Sequence, residues 1–252
     1  MINKIFVSGG SQCIGGGFIW DSVKKIYQNK NIQINNNLDV SYPKLLSDKL
    51  SVPLINEGAP GGSITRMIRK TYEFLFNNEH ENTLIILEVP PGWRDEYYSN
   101  ELGRYVNMTI GNILSSNDDT DLLLGNSPDD IKKIHKDVTN HFYNFIDDEL
   151  HKEKMMLNLL GLISYLKLKN LKHLIIDTGD FDTFLFRRNQ PRDYNFVWFS
   201  DKFEYPMWQW INESKLTIQD ETEGLSNDQH MGIEGNKMVA DKLYKMLMNE
   251  KN

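Results

Sequence analysis

The chain has 252 residues, of which 40% are hydrophobic, enough for one domain with a substantial core. Its 28 Lys and Arg are outnumbered by 35 Asp and Glu, leaving a net charge of -7, and no basic block is long enough to form a nucleic-acid groove. The single cysteine, Cys13, excludes an intrachain disulfide, and no apolar run approaches the ~18 residues of a membrane helix. With no apolar leader between Met1 and the first strand, the expectation is a soluble, cytoplasmic protein that binds neither membrane nor nucleic acid.

Ile5-Phe6-Val7 is a short strand that breaks at once into Ser8-Gly9-Gly10-Ser11-Gln12-Cys13-Ile14-Gly15-Gly16-Gly17. A strand, a glycine turn and a helix start present one side chain and several N–H groups at a single point. Ser11 is that side chain. Three readings fit: a nucleophilic serine, a dinucleotide-binding loop like that of the short-chain dehydrogenases with Cys13 at the middle glycine, or a plain tight turn.

Helices are expected over Phe18 to Tyr27 and Tyr42 to Leu50, followed by a strand from Val52 to Ile55. A second glycine loop, Asn56-Glu57-Gly58-Ala59-Pro60-Gly61-Gly62, leads to Ser63, an N-cap for a helix from Ile64 to Asn77. That helix shows a stripe of Ile64, Met67, Ile68, Tyr72 and Phe76. Thr83 to Val89 reads as a strand buried on both faces, ended by Pro90-Pro91-Gly92. Residues 93–130 read as an excursion or substrate lip. A long, interrupted helix is expected from Pro128 to Lys167, then a strand from His173 to Asp177. Aromatic residues crowd 197–210, and a last helix spans about Glu234 to Met248 with Met238, Val239, Leu243, Tyr244 and Leu247 as its buried stripe. Strands alternating with helices predict an open, mostly parallel α/β sheet covered on both faces, with ligands at the carboxyl ends of its strands. Ser11 and Gly61 both lie at such ends.

A serine hydroxyl needs a base, and a histidine base needs a carboxylate to fix its tautomer. Asp228-Gln229-His230, just before the last helix, can turn both side chains to one pocket. Oxyanion stabilisation needs N–H donors, and the Ser11 and Gly61 N–H groups are candidates.

These blocks resemble the SGNH/GDSL hydrolase family, particularly its divergent versions in phages and marine bacteria. Gly9-Gly10-Ser11 with Gly15 matches the GDS motif, although Gly10 replaces its aspartate. Asn56 through Gly61 matches the Asn-x-x-x-x-Gly block, and Asp228, His230, Gly235 and Ala240 match the last block. The resemblance implies a three-layer α/β/α sandwich with a flavodoxin-like sheet as one domain over 1–252. It implies hydrolysis of an acyl or acetyl ester on a small molecule, carbohydrate or lipid, without metal or organic cofactor. Ser11 would be the nucleophile, His230 the base, Asp228 its orienting acid, and the Ser11 and Gly61 N–H groups the oxyanion hole. Pro90 falls where the family has an oxyanion Asn, and Arg94 could substitute from the adjoining turn. The commoner Asp-x-x-His spacing would instead put Asn227 beside His230.

Two other classes stay open. A binding or structural protein on the same fold would carry no acylated Ser11. A dehydrogenase would use a Tyr-x-x-x-Lys pair, for which Tyr165 and Lys169 have the spacing.

Overall fold

The computed structural model describes residues 2–90, 94–99, 103–108, 148–178, 197 and 207–249. In chain order the described elements are β1 (Lys4–Ser8), α1 (Asp21–Asn29), α2 (Tyr42–Leu50), β2 (Leu54–Asn56), α3 (Ile64–Asn77), β3 (Thr83–Val89), β4 (Asp95–Ser99), β5 (Arg104–Met108), α4 (Asp148–Leu168), β6 (His173–Asp177), α5 (Met207–Glu213), α6 (Ile218–Glu221) and α7 (Ile233–Asn249). Four strands form one sheet in the order β2-β1-β3-β6, and every pairing is parallel. All four therefore end at the same edge, where Ser8, Asn56, Val89 and Asp177 hand over to loops.

Alternation along the strands builds two cores. Ile5, Val7, Leu84, Ile86, Leu174 and Ile176 face α2, α5 and α7, where Tyr42, Leu46, Ile211, Val239 and Leu243 meet them. Phe6, Ile85, Leu87, Val89 and Ile175 face α3 and α4, where Met67, Phe74, Met155, Leu159 and Leu162 close the other side. The result is an α/β/α arrangement with helices on both faces of a parallel sheet. Each fully buried Leu or Ile contributes roughly 1.5–3 kcal/mol. β3 is buried at all seven positions, which is why its sequence runs apolar without alternation.

Helix ends follow local chemistry. The Ser63 hydroxyl accepts from Arg66 N at 3.1 Å, capping α3 as its sequence predicts. α2 carries Pro43 in its first turn and closes on Ser51 in the left-handed region.

Several boundaries differ from expectation. α1 begins at Asp21, because two 3-10 turns, Gln12–Ile14 and Gly16–Ile19, intervene after β1, and Trp20 is extended before the helix starts. Phe18, expected in that helix, is instead buried against Tyr27 with ring centroids 5.2 Å apart. β2 starts two residues after Val52. Phe76 is 73% exposed, stacked on Tyr72 outside the core, and Phe74 and Leu75 fill the buried face of α3 instead. Met238 is also largely exposed, its buried place on α7 taken by Asn236 and Ala240. Part of the expected excursion is an antiparallel hairpin of β4 and β5. The expected stretch before Asp148, with Phe142, Phe145 and Ile146, lies outside the described residues.

The hairpin is clamped to α3. The Arg69 guanidinium donates through Nε and Nη2 to both Glu96 oxygens, at 2.7 and 2.9 Å, and lies 3.9 Å from the centroid of the Tyr105 ring. Arg94 immediately precedes this clamped strand. No helix among the described residues is long and apolar enough to cross a membrane.

Candidate active site

β1 delivers the chain to the carboxyl edge of the sheet at Ser8, and Ser11 follows as the cap of the first 3-10 turn. Its carbonyl accepts from Gly16 N at 2.8 Å, which folds the glycine run back beneath it. The turn is stitched to the neighbouring loop: Asn56 Nδ2 donates to Cys13 O at 2.7 Å, and Ala59 N donates to Gly9 O at 3.3 Å. Gly62 allows that approach, since a Cβ there would lie 2.6 Å from Gly9 O.

The second half of the site arrives from the far end of the chain. The segment from Asp228 to Met231 lies beside the start of α6. Gln219 N donates to Asp228 O, Ile218 N donates to His230 O, and Thr217 and Met231 form an antiparallel bridge. Gln12 joins the halves directly, its Oε1 accepting from Met231 N at 3.1 Å. Gly16 makes room for this docking: a Cβ there would sit 2.7 Å from Ser11 Cβ and 3.0 Å from His230 Cδ2.

Ser11, His230 and Asp228 form one hydrogen-bonded chain. Asp228 Oδ1 is 2.7 Å from His230 Nδ1, and His230 Nε2 is 2.9 Å from Ser11 Oγ. The same Asp228 oxygen accepts from the His230 backbone N at 2.8 Å, so the carboxyl fixes both backbone and ring. An ionised carboxylate only accepts, so the imidazole proton lies on Nδ1 and Nε2 is left to accept from the serine hydroxyl. Burial pushes the Asp228 carboxyl up, but the hydrogen bonds and charge of His230 outweigh burial and hold it below its ordinary range. Asn227, the other candidate for that place, is exposed.

The chain opens on a cleft of about 340 Å³ whose walls include Gly10, Glu88, Pro90, Arg94 and Thr178. Arg94 Nη1 lies 3.9 Å, and Pro90 Cβ 3.5 Å, from the point a Cβ on Gly10 would occupy. Gly61 takes a left-handed conformation in the loop packed on Gly9, set back from the residues lining the cleft. Among the described residues, neither the Ser11 nor the Gly61 N–H meets an acceptor.

Sequence reasoning passed over Glu88. It is fully buried at the carboxyl end of β3, accepting from Gly10 N at 3.1 Å and from the Tyr42 hydroxyl at 2.9 Å. Burial lifts its carboxyl to about 7, against the hydrogen bonds of Tyr42 and Gly10 and the charge of Arg94. The signal was present: an acid inside Leu-Ile-Ile-Leu-Glu-Val, in a strand buried on both faces, needs built partners. Cys13 is buried, its thiol pushed well up by burial and donating to Gly10 O at 3.1 Å, which disfavours a thiolate nucleophile.

Other candidates lie elsewhere. Tyr165 and Lys169 stand where α4 leads into the amino end of β6, opposite the cleft, and Tyr165 packs edge-on against Tyr72. Trp210 packs against the core beside α7. Trp93, His135 and His141 lie outside the described residues.

No family model matches the chain, and no curated protein matches it. Among solved structures it is similar to a psychrotrophic esterase, EstA, from Pseudoalteromonas sp., at 13% identity over 99% of both chains with a TM-score of 0.40. It is similar to AlinE4, an SGNH-hydrolase family esterase, at 14% identity over 99% of this chain and 97% of that one, TM-score 0.41. A lipolytic protein of the G-D-S-L family from Veillonella parvula is 11% identical over 97% and 98% of the two chains, TM-score 0.34. These likenesses are too distant to carry a function.

Proposed function

We propose that the chain is a serine ester hydrolase of the SGNH type, a single domain over residues 1–252 with a flavodoxin-like sheet and an insertion within 93–130. The observation that carries this reading is the unbroken Asp228–His230–Ser11 hydrogen-bond chain at the mouth of a strand-end cleft. Ser11 Oγ attacks the ester carbonyl while its proton passes to His230 Nε2. Asp228 holds the ring and stabilises the imidazolium. The tetrahedral oxyanion is met by the N–H of Ser11, which lines the cleft, and the N–H of Gly61, set back in the loop packed on Gly9, is its second donor once that loop draws in; neither N–H meets an acceptor among the described residues. Collapse expels the alkoxide, which takes the proton from His230, and leaves an acyl-serine. Water then attacks the acyl-serine with His230 again as base, releasing the acid.

Pro90 has neither a side-chain donor nor an N–H, and one missing oxyanion donor costs about 3 kcal/mol. Arg94, on the cleft wall, supplies a cation that can offset this loss. Substrates of the class read here are small-molecule or glycan esters with an acetyl or other acyl group. The test is mass-spectrometric labelling with a serine-reactive fluorophosphonate. Stoichiometric modification of Ser11, absent in S11A and much slower in H230A, is the expected result. Folded protein that binds acylated glycans yet leaves Ser11 unlabelled would replace hydrolysis with a binding role, the reading that Pro90 favours.

A further inference from the structure

A carboxyl in the middle of a sheet is not needed to build the sheet. At position 88 an apolar side chain would cover the same core without the cost of burying an ionisable group. Glu88 nevertheless stands there with no exposure, and what it touches is specific. Oε1 accepts from the N–H of Gly10, the residue before Ser11, and Oε2 accepts from the Tyr42 hydroxyl on α2. The other side of Gly10 is also held, because its carbonyl accepts from the Cys13 thiol at 3.1 Å. A peptide unit is planar and trans, so the Gly10 carbonyl points opposite to the Ser11 N–H. Gripping Gly10 at both its N–H and its carbonyl therefore sets the direction of the Ser11 N–H and the starting point of the Ser11 side chain.

We infer that Glu88 is a positioning residue for Ser11: from within β3 its carboxylate holds Gly10 so that the Ser11 N–H and hydroxyl are aimed into the cleft. The inference rests on Ser11 being the nucleophile. Glu88 touches no reacting atom in this scheme and acts through Gly10.

The carboxyl faces Tyr42 from α2, Cys13 from the first 3-10 turn and Arg94 from just beyond β3. Asp228 and His230 line the same cleft, and Asp177 ends the neighbouring strand opposite Val89. With burial outweighing its donors, Glu88 takes up a proton near neutrality. A proton on Oε2 can be donated to the Tyr42 hydroxyl oxygen while Oε1 still accepts from Gly10, so the neutral carboxyl keeps the Gly10 bond but loses the charge that strengthens it. The grip on Gly10, and with it the placing of Ser11, then weakens modestly as Glu88 takes up its proton.

The experiment follows fluorophosphonate labelling of Ser11 against pH in the wild type, E88Q, E88A and Y42F, with NMR hydrogen exchange of the Gly10 amide in the same proteins. Glutamine keeps an oxygen for Gly10 but cannot ionise. E88Q should label within about threefold of wild type at high pH, whereas E88A should fall about tenfold or more and expose the Gly10 amide to exchange. The acid limb of wild type should carry a component near pH 7 over which its rate falls toward that of E88Q, and E88Q should lack that component. Y42F, which keeps the carboxyl and removes one donor, should move the limb to higher pH. Wild-type rate and an unchanged limb in E88A and Y42F would overturn the inference while leaving the Ser11 reading intact. If wild type itself does not label, the nucleophile reading fails and Gly10 exchange decides: unchanged in E88A it overturns the anchoring role, and raised it upholds that role.

Discussion

Two carboxyls line the same cleft and are driven in opposite directions. Asp228 is partly buried and sits 2.7 Å from an imidazole that can become a cation, and its acidity is strengthened. Glu88 is wholly buried with two neutral donors at close range, and the charge of Arg94 lowers its pKa less than burial raises it. Its affinity for a proton rises to about 7. Depth alone does not decide the outcome. A partner that can carry positive charge stabilises the carboxylate more than burial costs, while amide and hydroxyl donors offset only part of that cost. One carboxyl is thereby kept ionised to serve His230, and the other is left poised.

The widest separation between the two should appear in turnover. On a chromogenic ester, S11A and H230A should lower kcat/KM roughly 10⁶-fold, and D228N should lower it on the order of 10⁴-fold by removing the charge that stabilises the imidazolium. A D228N loss below about tenfold would place Asp228 outside the mechanism. A third carboxyl, Glu96, tests the rule in a structural setting, for it is buried and held bidentately by Arg69. R69M should cost about 3–5 kcal/mol in urea unfolding, and adding E96Q should recover much of that loss.

Next in size is the pH dependence of folding due to Glu88. Between pH 4.5, its ordinary value, and about 7, the native state keeps a proton that the unfolded chain has released. Stability contributed by the neutral form is complete below 4.5 and is lost as pH rises through 7. Relative to E88Q, wild type should lose about 3 kcal/mol across that window and no more above it, read from unfolding curves at a series of pH values. The smallest effect supplies a control. S63A removes a neutral cap from α3 and should cost about 1 kcal/mol equally at acid and alkaline pH. A pH-dependent S63A loss would show that the Glu88 curve reports general loosening instead.

How much of this was readable in the sequence depended on whether neighbours or distant partners set the structure. β3 was legible to the residue because burial on both faces favours apolar residues without alternation, as in Leu84-Ile85-Ile86-Leu87, and α3 because Ser63 marks its start. Asp228 and His230 were legible as a pair two residues apart. Their meeting with Ser11 could only be expected from strand-end topology, and Asn227 stayed open until side-chain geometry was known. The 3-10 turns at residues 12–19 were missed because Phe18, Ile19 and Trp20 read as the opening of an amphipathic helix, while glycine geometry sets the backbone there. Phe76 follows Ile64, Ile68 and Tyr72 in steps of four, and because each such step overshoots a helical turn by about 40°, it has rotated off the face that Phe74 and Leu75 bury. Glu88 was hidden because its partners, Gly10 and Tyr42, lie 78 and 46 residues away.

The docking of His230 beside Ser11 spans 219 residues of chain, through a gap left open by the missing side chain of Gly16. During synthesis the four described strands of the sheet have all emerged once Asp177 is made, with the serine turn already in the chain. The imidazole that would arm that serine comes 53 residues later, and α7, which closes the core face beneath it, comes later still. A nascent chain thus carries its hydroxyl through most of its growth without a base. Chains that stall or are cut before residue 230 lack both the imidazole and the α7 side chains that cover one face of the sheet, so the proposed reactivity should appear only with the last segment, together with the closing of that core.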